Sequence, residues 1–394
     1  MARPFRSRRR TAAAGAALLA ALVGSARAGA AQDLTSVPPR GTAPIGWTSF
    51  ALEAGPDDLT PDPGDRRRLL VEVWFPARAP GTISKPWASD AMGEALVRRF
   101  PVPEGFHAEI GTHAWLDAEP VEAAVPAVVF SHGLSFPPAL YQSFFEDLAS
   151  RGYAVYAVSH PHGAAMIEYP DGSTRDMALW PEIEDELERQ RMLADAAGVW
   201  AADLRVVLDA LSDEAPPTGV SIDAVRIGLA GHSLGGSAVG KLSRDPRVLA
   251  VVAMEGDVRE PASEDARGSL EIGAPLLHLI GGYNRLELER RGYLPGPGAP
   301  VFTAVVRGTG HAYFSDLIHL YRHYADRDWR ERHRYELDPD RVIRIAGDYM
   351  AAFFDWRLRG EPLGVLLGRR TLSEELAGPR QGGYPEVDLT IALR

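Results

Sequence analysis

The sequence predicts an α/β protein in which a mostly parallel β-sheet is covered by helices on both faces. From residue 125 onward, short apolar segments alternate with helical segments, which is the rhythm of βαβ units. The apolar segments are rich in Val, Leu and Ala with little polar alternation, as strands buried on both faces require. The chain has 394 residues and is 45% hydrophobic, which is enough for one large core.

The same patterns place the individual elements along the chain. Strands are predicted over residues 45–52, 69–75, 127–130, 154–158, 225–230, 249–254, 276–280 and 301–306. Helices are predicted over residues 140–150, 183–211, 233–242 and 341–358. Residues 56–67 are rich in Pro, Asp and Gly and predict a loop, while 78–120 and 160–181 predict loop or cap insertions. The result is a single domain over residues 29–394.

The first 28 residues have the pattern of a signal peptide. Arginines crowd the first ten positions, residues 11–23 form an Ala-rich apolar run, and Ala26-Arg27-Ala28 offers small residues for cleavage. The apolar run is too short to remain as a membrane-spanning helix. We therefore expect an exported protein, periplasmic or secreted, without stable membrane insertion, and the pattern leaves the general and the twin-arginine export routes open.

Charge and composition exclude several classes of protein. The formal net charge of −11 argues against an electrostatic nucleic-acid binder. The chain has no Cys, so disulfides, thiolate metal sites and cysteine nucleophiles are excluded. His160 and His162 have the spacing of metal ligands, but no second cluster of His or Asp completes a hydrolytic metal centre. Neither a metal nor another cofactor is expected.

A G-x-S-x-G motif at residues 231–235 follows a predicted strand directly and opens a predicted helix. Such a strand-to-helix turn exposes a serine on a strained backbone and needs small neighbours, which Gly231 and Gly235 supply. The motif in this context predicts the α/β-hydrolase fold with Ser233 as nucleophile. The backbone N–H of Leu234, directly after the nucleophile, is the expected first donor of the oxyanion hole.

The general base is expected on the loop that follows the last core strand. Residues 301–306 form that strand, and the glycines before His311 allow the loop to bend toward the nucleophile. His311 is therefore the predicted base. His232, which lies beside the nucleophile inside the motif, is expected to pack or to line the pocket instead.

The acid that orients the base should follow a strand between the serine and the histidine. The strand over 249–254 ends in Glu255-Gly256-Asp257, whereas the next strand ends at residues 281–284 without an acid. Glu255 comes first after the strand and is the predicted acid, with Asp257 as the alternative. The chain order of serine, acid and histidine is the order that the α/β-hydrolase fold requires.

The second oxyanion donor is expected after the strand over residues 127–130. Ser131-His132-Gly133-Leu134 follows that strand, and its glycine permits a close approach of the backbone to a ligand. The N–H of Leu134 is the predicted donor.

Several segments resemble the platelet-activating factor acetylhydrolase family of the plasma, or type II, lineage, over roughly residues 65–325. The segments are Val-Glu-Val-Trp-Phe-Pro at 71–76, Val-Val-Phe-Ser-His-Gly-Leu at 128–134, Asp-Leu-Ala-Ser-Arg-Gly-Tyr at 147–153, Glu-Tyr-Pro-Asp-Gly at 168–172, Gly-His-Ser-Leu-Gly-Gly at 231–236 and His-Ala-Tyr-Phe-Ser-Asp at 311–316. The resemblance implies a calcium-independent serine esterase or lipase that releases short acyl chains from phospholipid-like or simple esters. It assigns the same roles to Ser233, His311 and the amides of Leu134 and Leu234. The family usually has Asp at the position of Glu255, and its bacterial members are often described as dienelactone-hydrolase-like.

These observations predict an exported serine esterase that hydrolyses short-acyl carboxylic esters through an acyl-enzyme, with a small ester or phospholipid-like molecule as its partner. The aromatic residues Phe136, Tyr169 and Trp180 are candidate walls of the acyl pocket. A polyester hydrolase and a catalytically silent binding protein of the same fold are the alternatives. A peptidase ranks lower, because the chain lacks room for a propeller domain.

Overall fold

The computed structural model describes residues 34–56, 66–177, 183–213, 218–257, 270–285, 292–324, 336–364, 380–381 and 383–394. The predicted signal peptide at residues 1–28 lies outside these ranges and stays a prediction. Within the described ranges, no helix is both long and apolar enough to cross a bilayer.

The eight predicted strands and four predicted helices are all present, together with further, mostly short elements that were not predicted. The strands are β1 Leu34–Thr35, β2 Ile45–Pro56, β3 Arg66–Pro76, β4 Ile110–Gly111, β5 Ala114–Trp115, β6 Val125–Ser131, β7 Ala154–Ser159, β8 Met166–Glu168, β9 Thr174–Asp176, β10 Ile222–His232, β11 Val248–Met254, β12 Leu270–Glu271, β13 Leu276–Gly281, β14 Tyr293–Leu294, β15 Val301–Val306, β16 Arg380–Gln381 and β17 Val387–Ala392. The α-helices are α1 Asp90–Val97, α2 Gln142–Ser150, α3 Glu186–Asp213, α4 Leu234–Lys241, α5 Leu317–Tyr324 and α6 Pro339–Arg359, with 3₁₀ turns at Phe106–Glu109, Pro138–Tyr141 and His311–Phe314.

The main sheet runs in the order β16-β17-β15-β13-β11-β10-β6-β7-β3-β2-β5. Its centre, from β7 through β15, is parallel, and the β2–β3 pair and β17 are antiparallel additions at the two sides. In the register of the parallel strands, Ser131 is the partner of Gly231, and His232 is the partner of Met254. The carboxyl ends of these strands therefore lie along one edge of the sheet, where open α/β sheets bind their ligands.

Both faces of the sheet are covered, because the central strands are apolar on both sides. Val71, Val73 and Phe75 of β3 belong to the core that α3 and α4 close. The alternate residue Trp74 points to the other face and packs on Phe145 of α2, with ring centroids 4.8 Å apart. Helix α6 covers the same face over the middle strands, and Phe354 lies against Gly228 of β10. The predicted α/β fold with a mostly parallel sheet is confirmed.

Helix α6 begins and ends at residues with specific capping chemistry. The side chain of Asp338 accepts a hydrogen bond from the Arg341 N–H, and Pro339 occupies the first turn, where a missing N–H costs nothing. The helix ends at Gly360, which has a φ of 73°. A glycine adopts this left-handed conformation without steric cost, so the end of the helix is set by the local sequence.

Three predicted loop segments carry more structure than expected. Strand β3 already begins at Arg66, so the prediction of a loop through residue 67 was wrong at its end. The predicted insertion at 78–120 contains α1, a 3₁₀ turn and β4, and its strand β5 joins the main sheet beside β2. The segment at 160–181 contains the small hairpin of β8 and β9.

The sequence pattern also missed elements near the carboxyl terminus. Strand β17 pairs antiparallel with β15, and β16 adds one further short strand. In β17 only Val387 and Leu389 are buried; Asp388 stands between them, and Thr390 follows Leu389. This half-polar alternation is typical of a strand near the edge of a sheet, and it is weaker than the apolar runs of the central strands.

Candidate active site

Ser233 lies at the turn between β10 and α4 and has strained backbone angles, with φ 55° and ψ −121°. Its N–H donates to the carbonyl of Met254, so the neighbouring strand fixes the turn. A Cβ at Gly231 would lie 2.4 Å from the Gly235 carbonyl oxygen, and one at Gly235 would lie 2.2 Å from that of Ser131. The flanking glycines are therefore needed for close packing of the turn. They allow Ser233, with its strained backbone, to lie at the carboxyl end of β10.

The three side chains singled out by the sequence form one hydrogen-bonded chain. His311 Nε2 lies 2.9 Å from Ser233 Oγ, and His311 Nδ1 lies 3.1 Å from Glu255 Oε2. With the proton on Nδ1 donated to the carboxylate, Nε2 is free to accept from the serine hydroxyl. The Glu255 side chain is 1% exposed and the His311 ring is 48% exposed, so the carboxylate is enclosed while the imidazole meets solvent.

Glu255 is held in place by its own backbone and by the tip of β13. Its φ is 51°, an unusual left-handed conformation for a residue other than glycine, and its N–H donates to Leu279. The N–H of Gly281 donates to Oε1, and Asn284 Nδ2 donates to Oε2 at 2.6 Å. Asn284 lies in the segment that lacks an acid, and its part in orienting Glu255 was not predicted.

Asp257, the alternative acid, faces a different element. Its Oδ1 accepts a hydrogen bond of 3.3 Å from the Ser237 hydroxyl on α4. The structure thus brings Glu255, and not Asp257, to the imidazole of His311. The catalytic roles of these residues stay predictions.

His232 makes hydrogen bonds that the sequence did not reveal. Its Nε2 donates to the backbone carbonyl of His311 at 3.0 Å, and its Nδ1 accepts from the Tyr141 hydroxyl at 2.8 Å. Burial lowers the pKa of His232 well below its usual value, so the ring is neutral with its proton on Nε2. The Tyr141 oxygen in turn accepts from the Gly133 N–H at 3.0 Å. This chain of hydrogen bonds joins the loop that carries His311 to the loop that follows β6.

The two predicted oxyanion donors belong to different elements: Leu134 lies in the loop after β6, and Leu234 begins α4. Leu234 is the first residue of α4, so its N–H has no partner within the helix. In the loop after β6, the Gly133 N–H donates to Tyr141 and the Ser135 N–H donates to Gly163. No hydrogen bond from the Leu134 N–H is seen within the described part of the chain. Both amides thus have the freedom to bind an anion, and their function stays a prediction.

The candidate pocket walls separate in the structure. Phe136 contacts the His232 ring at a centroid distance of 5.8 Å and the Phe100 ring at 5.5 Å, so it lies beside the candidate site. Tyr169 instead lines a cavity of about 380 Å³ whose lining residues do not include Ser233 or His311. Trp180 lies outside the described residues.

The two histidines with metal-like spacing serve other purposes. His160 bonds to Ser131 and Asp203, whereas His162 Nε2 accepts from Arg175 at 3.3 Å. Among the residues that the structure describes, no group of three or more His, Asp or Glu side chains is arranged to hold a metal ion.

The fold and this arrangement define the α/β-hydrolase class: a strained serine follows a central strand, and a histidine and an acid follow later strands in chain order. Within that class, residues 112–186 match the family model of platelet-activating factor acetylhydrolase, isoform II. This match covers the strand and loop that carry Leu134 and ends before Ser233.

Individual proteins of known sequence show the same likeness. The chain is 31% identical over 154 residues to platelet-activating factor acetylhydrolase of Bos taurus, covering 33% of this chain and 34% of that protein. It is 27% identical over 154 residues to a probable 1-alkyl-2-acetylglycerophosphocholine esterase of Arthroderma benhamiae, covering 39% and 37%. The matched part therefore spans about a third of the length of each relative.

A solved structure matches over nearly the whole length. It is a ferulic acid esterase from Streptomyces cinnamoneus, with a TM-score of 0.70 and 28% sequence identity, and the match covers 91% of this chain and 99% of the esterase. The predicted likeness to the acetylhydrolase family is confirmed by these matches. Each matched protein is named for an ester-cleaving activity, in agreement with the predicted class of carboxylic ester hydrolase.

The choice between the two carboxylates can be tested with paired variants. Glu255→Gln should lower kcat by up to about 10⁴-fold with little change in KM, because an amide cannot hold the imidazole in the required tautomer or stabilise its charge. Asp257→Asn should stay near the wild-type rate. Steady-state kinetics of both variants on one ester measure this, and a crippled Asp257→Asn beside an active Glu255→Gln would reverse the assignment.

His278 should make the stability of the protein sensitive to acid. Its Nε2 donates to the Gly256 carbonyl, and burial lowers its pKa to about 4, so below pH 6.5 the unfolded chain binds a proton there that the folded chain does not. Between pH 7 and pH 5 this residue should remove about 2 kcal/mol from the free energy of unfolding.

Urea unfolding of wild type and His278→Gln at pH 7, 6 and 5 measures the contribution, since glutamine keeps a donor without titrating. The loss of stability on acidification should be smaller in the variant by that amount. His323→Gln, at an exposed position, serves as the matched control. An equal pH dependence in wild type and His278→Gln would contradict the prediction.

Proposed function

We propose that this protein is a serine esterase that hydrolyses short-acyl carboxylic esters through an acyl-enzyme on Ser233. The observation that supports it most is the unbroken hydrogen-bonded chain from Ser233 Oγ through His311 to the enclosed carboxylate of Glu255. Such a chain activates a hydroxyl that is otherwise a poor nucleophile at neutral pH. The ester-cleaving names of the relatives agree with this use of the site.

The geometry supports a two-stage acyl transfer. Ser233 Oγ attacks the ester carbonyl carbon while His311 Nε2 takes the hydroxyl proton, and Glu255 stabilises the resulting imidazolium. The N–H groups of Leu134 and Leu234 would bind the oxyanion of the tetrahedral intermediate. Collapse of this intermediate breaks the bond to the alkoxy group, and His311 protonates the departing alcohol. A water molecule then attacks the acyl-serine, with His311 again as base, and releases the acid.

The proposed preference for short acyl chains rests on the relatives named for acetyl esters and on an aromatic wall of Phe136 and Phe100 beside His232, the residue before the nucleophile. Phe136 and Phe100 meet edge to face at an interplanar angle of 76°, next to the His232 ring. These two rings present a rigid apolar surface to a bound acyl group.

Esters with an aromatic acid are the second candidate substrates. The structure of the ferulic acid esterase matches 91% of this chain, whereas the acetylhydrolase relatives match about a third of it. The same aromatic wall could stack against a planar acyl group.

A substrate series on purified protein tests the function. p-Nitrophenyl acetate and butyrate should be turned over faster than the octanoate, and methyl ferulate reports the second candidate. Ser233→Ala should lose about 10⁶-fold in kcat and all labelling by a fluorophosphonate, because the nucleophile is gone. Ser237→Ala, one helical turn further on, is the matched control and should keep both.

Labelling that persists at another serine in Ser233→Ala would contradict the assignment. A rate that rises steadily to long acyl chains would overturn the short-acyl preference and leave the nucleophile in place. A folded wild-type protein without turnover or labelling would favour the silent binding protein.

We further propose that the protein is exported, because residues 1–28 have the charge and apolar pattern of a signal peptide. Expression of the full chain in a bacterial host should yield a protein outside the cytoplasm. Its intact mass should correspond to a chain that has been cleaved after Ala28. A Leu18→Arg, Leu19→Arg control interrupts the apolar run and should retain the full-length chain in the cytoplasm. Full-length wild-type protein in the cytoplasm would contradict export.

A further inference from the structure

A second serine, histidine and aspartate form a hydrogen-bonded chain beneath the candidate site. His160 Nε2 lies 2.8 Å from Ser131 Oγ, and His160 Nδ1 lies 2.7 Å from Asp203 Oδ2. Arg67 holds the same carboxylate through two hydrogen bonds of 2.6 Å. All four residues are at most 2% exposed, so no substrate reaches Ser131 and the chain is not a second hydrolytic centre.

These residues come from four separate elements of the fold. Ser131 ends β6, His160 follows β7, Asp203 lies on α3, and Arg67 lies in β3. The His160 ring also stacks on Trp200 of α3, with centroids 4.2 Å apart and an interplanar angle of 8°. Helix α3 thus supplies both a flat surface and a hydrogen-bond acceptor, which together fix the orientation of the imidazole.

His160 holds the start of the loop that carries Leu134. Besides the bond to Ser131, its backbone N–H donates to His132 Nε2 at 3.0 Å. His132 Nδ1 then donates to the carbonyl of Gly133 at 2.7 Å. Burial lowers the pKa of both imidazoles, so each ring is neutral and its tautomer is set by these partners. The residues on the amino-terminal side of Leu134 are therefore fixed one after another.

The turn at residues 160–163 also holds the far end of the loop that carries Leu134. The N–H of Ser135 donates to the carbonyl of Gly163 at 2.7 Å, and the N–H of Gly163 donates to the carbonyl of His160 at 3.1 Å. Ser135 has a φ of 67°, a left-handed conformation that serine adopts only when its surroundings impose it. The residues on both sides of Leu134 are thus hydrogen-bonded to the turn at residues 160–163.

We propose that His160, Asp203 and Arg67 form a buried clamp that positions the Leu134 N–H as an oxyanion donor, with Ser131 as its point of attachment. The proposal rests on the esterase function and adds three positioning residues that do not touch the substrate. An oxyanion donor stabilises the transition state only when it points at the position that the anion will occupy. A small shift of the loop therefore reduces stabilisation of the transition state more than it reduces substrate binding.

The magnitude follows from what such a donor contributes. Complete loss of one oxyanion-hole donor costs about 10²–10³-fold in kcat. Ser131→Ala removes the hydrogen bond to His160, while strand pairing still holds the Ser131 backbone. It should therefore weaken the donor without abolishing it and lower kcat by about 10–100-fold, with less than about a threefold change in KM. The pH at which activity is half lost on the acid side should stay unchanged, because His311 and Glu255 are untouched.

Tyr153→Phe is the matched control. It removes a partly buried hydrogen bond of 2.7 Å, from the Tyr153 hydroxyl to Asp355, at the opposite end of β7 from His160. It should lower the melting temperature to a similar extent and leave kcat near the wild-type value. His160→Gln is the second clamp variant and is used should Ser131→Ala fail to fold.

Hydrogen–deuterium exchange provides a readout that does not depend on activity. Peptides covering residues 131–136 should exchange faster in Ser131→Ala or His160→Gln than in wild type or Tyr153→Phe. An inactive wild-type protein would refute the esterase function while the exchange data still report on the clamp.

Unchanged kcat and unchanged exchange in the clamp variants would overturn the proposal. An equal loss of kcat in Tyr153→Phe would do so too, since the effect would then follow from stability alone.

Discussion

Parallel pairing of the central strands is the constraint on which the site depends. Because Ser131 is opposite Gly231 and His232 is opposite Met254, the residues that follow β6, β10 and β11 emerge at the same edge of the sheet. Glu255 then needs only one unusual backbone conformation to reach the imidazole that follows β15. Residues far apart in sequence become neighbours because they follow strands whose mutual register is fixed by backbone hydrogen bonds.

The histidines around this edge fall into two electrostatic groups. His311 is 48% exposed and shares hydrogen bonds with a serine and an enclosed carboxylate. His132, His160 and His232 are fully buried, and burial lowers the pKa of each. A neutral imidazole has one donor and one acceptor nitrogen, so each buried ring joins two defined partners. The scaffold thus uses the buried histidines as rigid connectors, while the ring of His311 faces solvent.

The sequence predicts the parts of the site that local pattern encodes. A motif between a strand and a helix predicts Ser233, and positions after strands predict His311 and Glu255; hydrogen bonds join the three in the structure. Residues whose partners are distant were missed: Arg67 was assigned to a loop, although it pairs with Asp203 from 136 positions away. His160 is distinguished in the sequence only by its spacing from His162, because no sequence pattern indicates that its ring stacks on Trp200 of α3. Strand β17 was not predicted, because its apolar residues alternate with polar ones and give a weak signal.

The borders of the main sheet are formed by short strands within the described residues. β5 at one border is Ala114–Trp115, and the described part of β16 at the other is Arg380–Gln381. A border strand offers unpaired backbone groups to other chains, and β5 pairs with only Ile45 and Gly46 of the twelve-residue β2. The apolar strands β6, β10, β11 and β13 instead have a paired strand on each side, so the centre of the sheet is kept away from intermolecular pairing and does not promote aggregation.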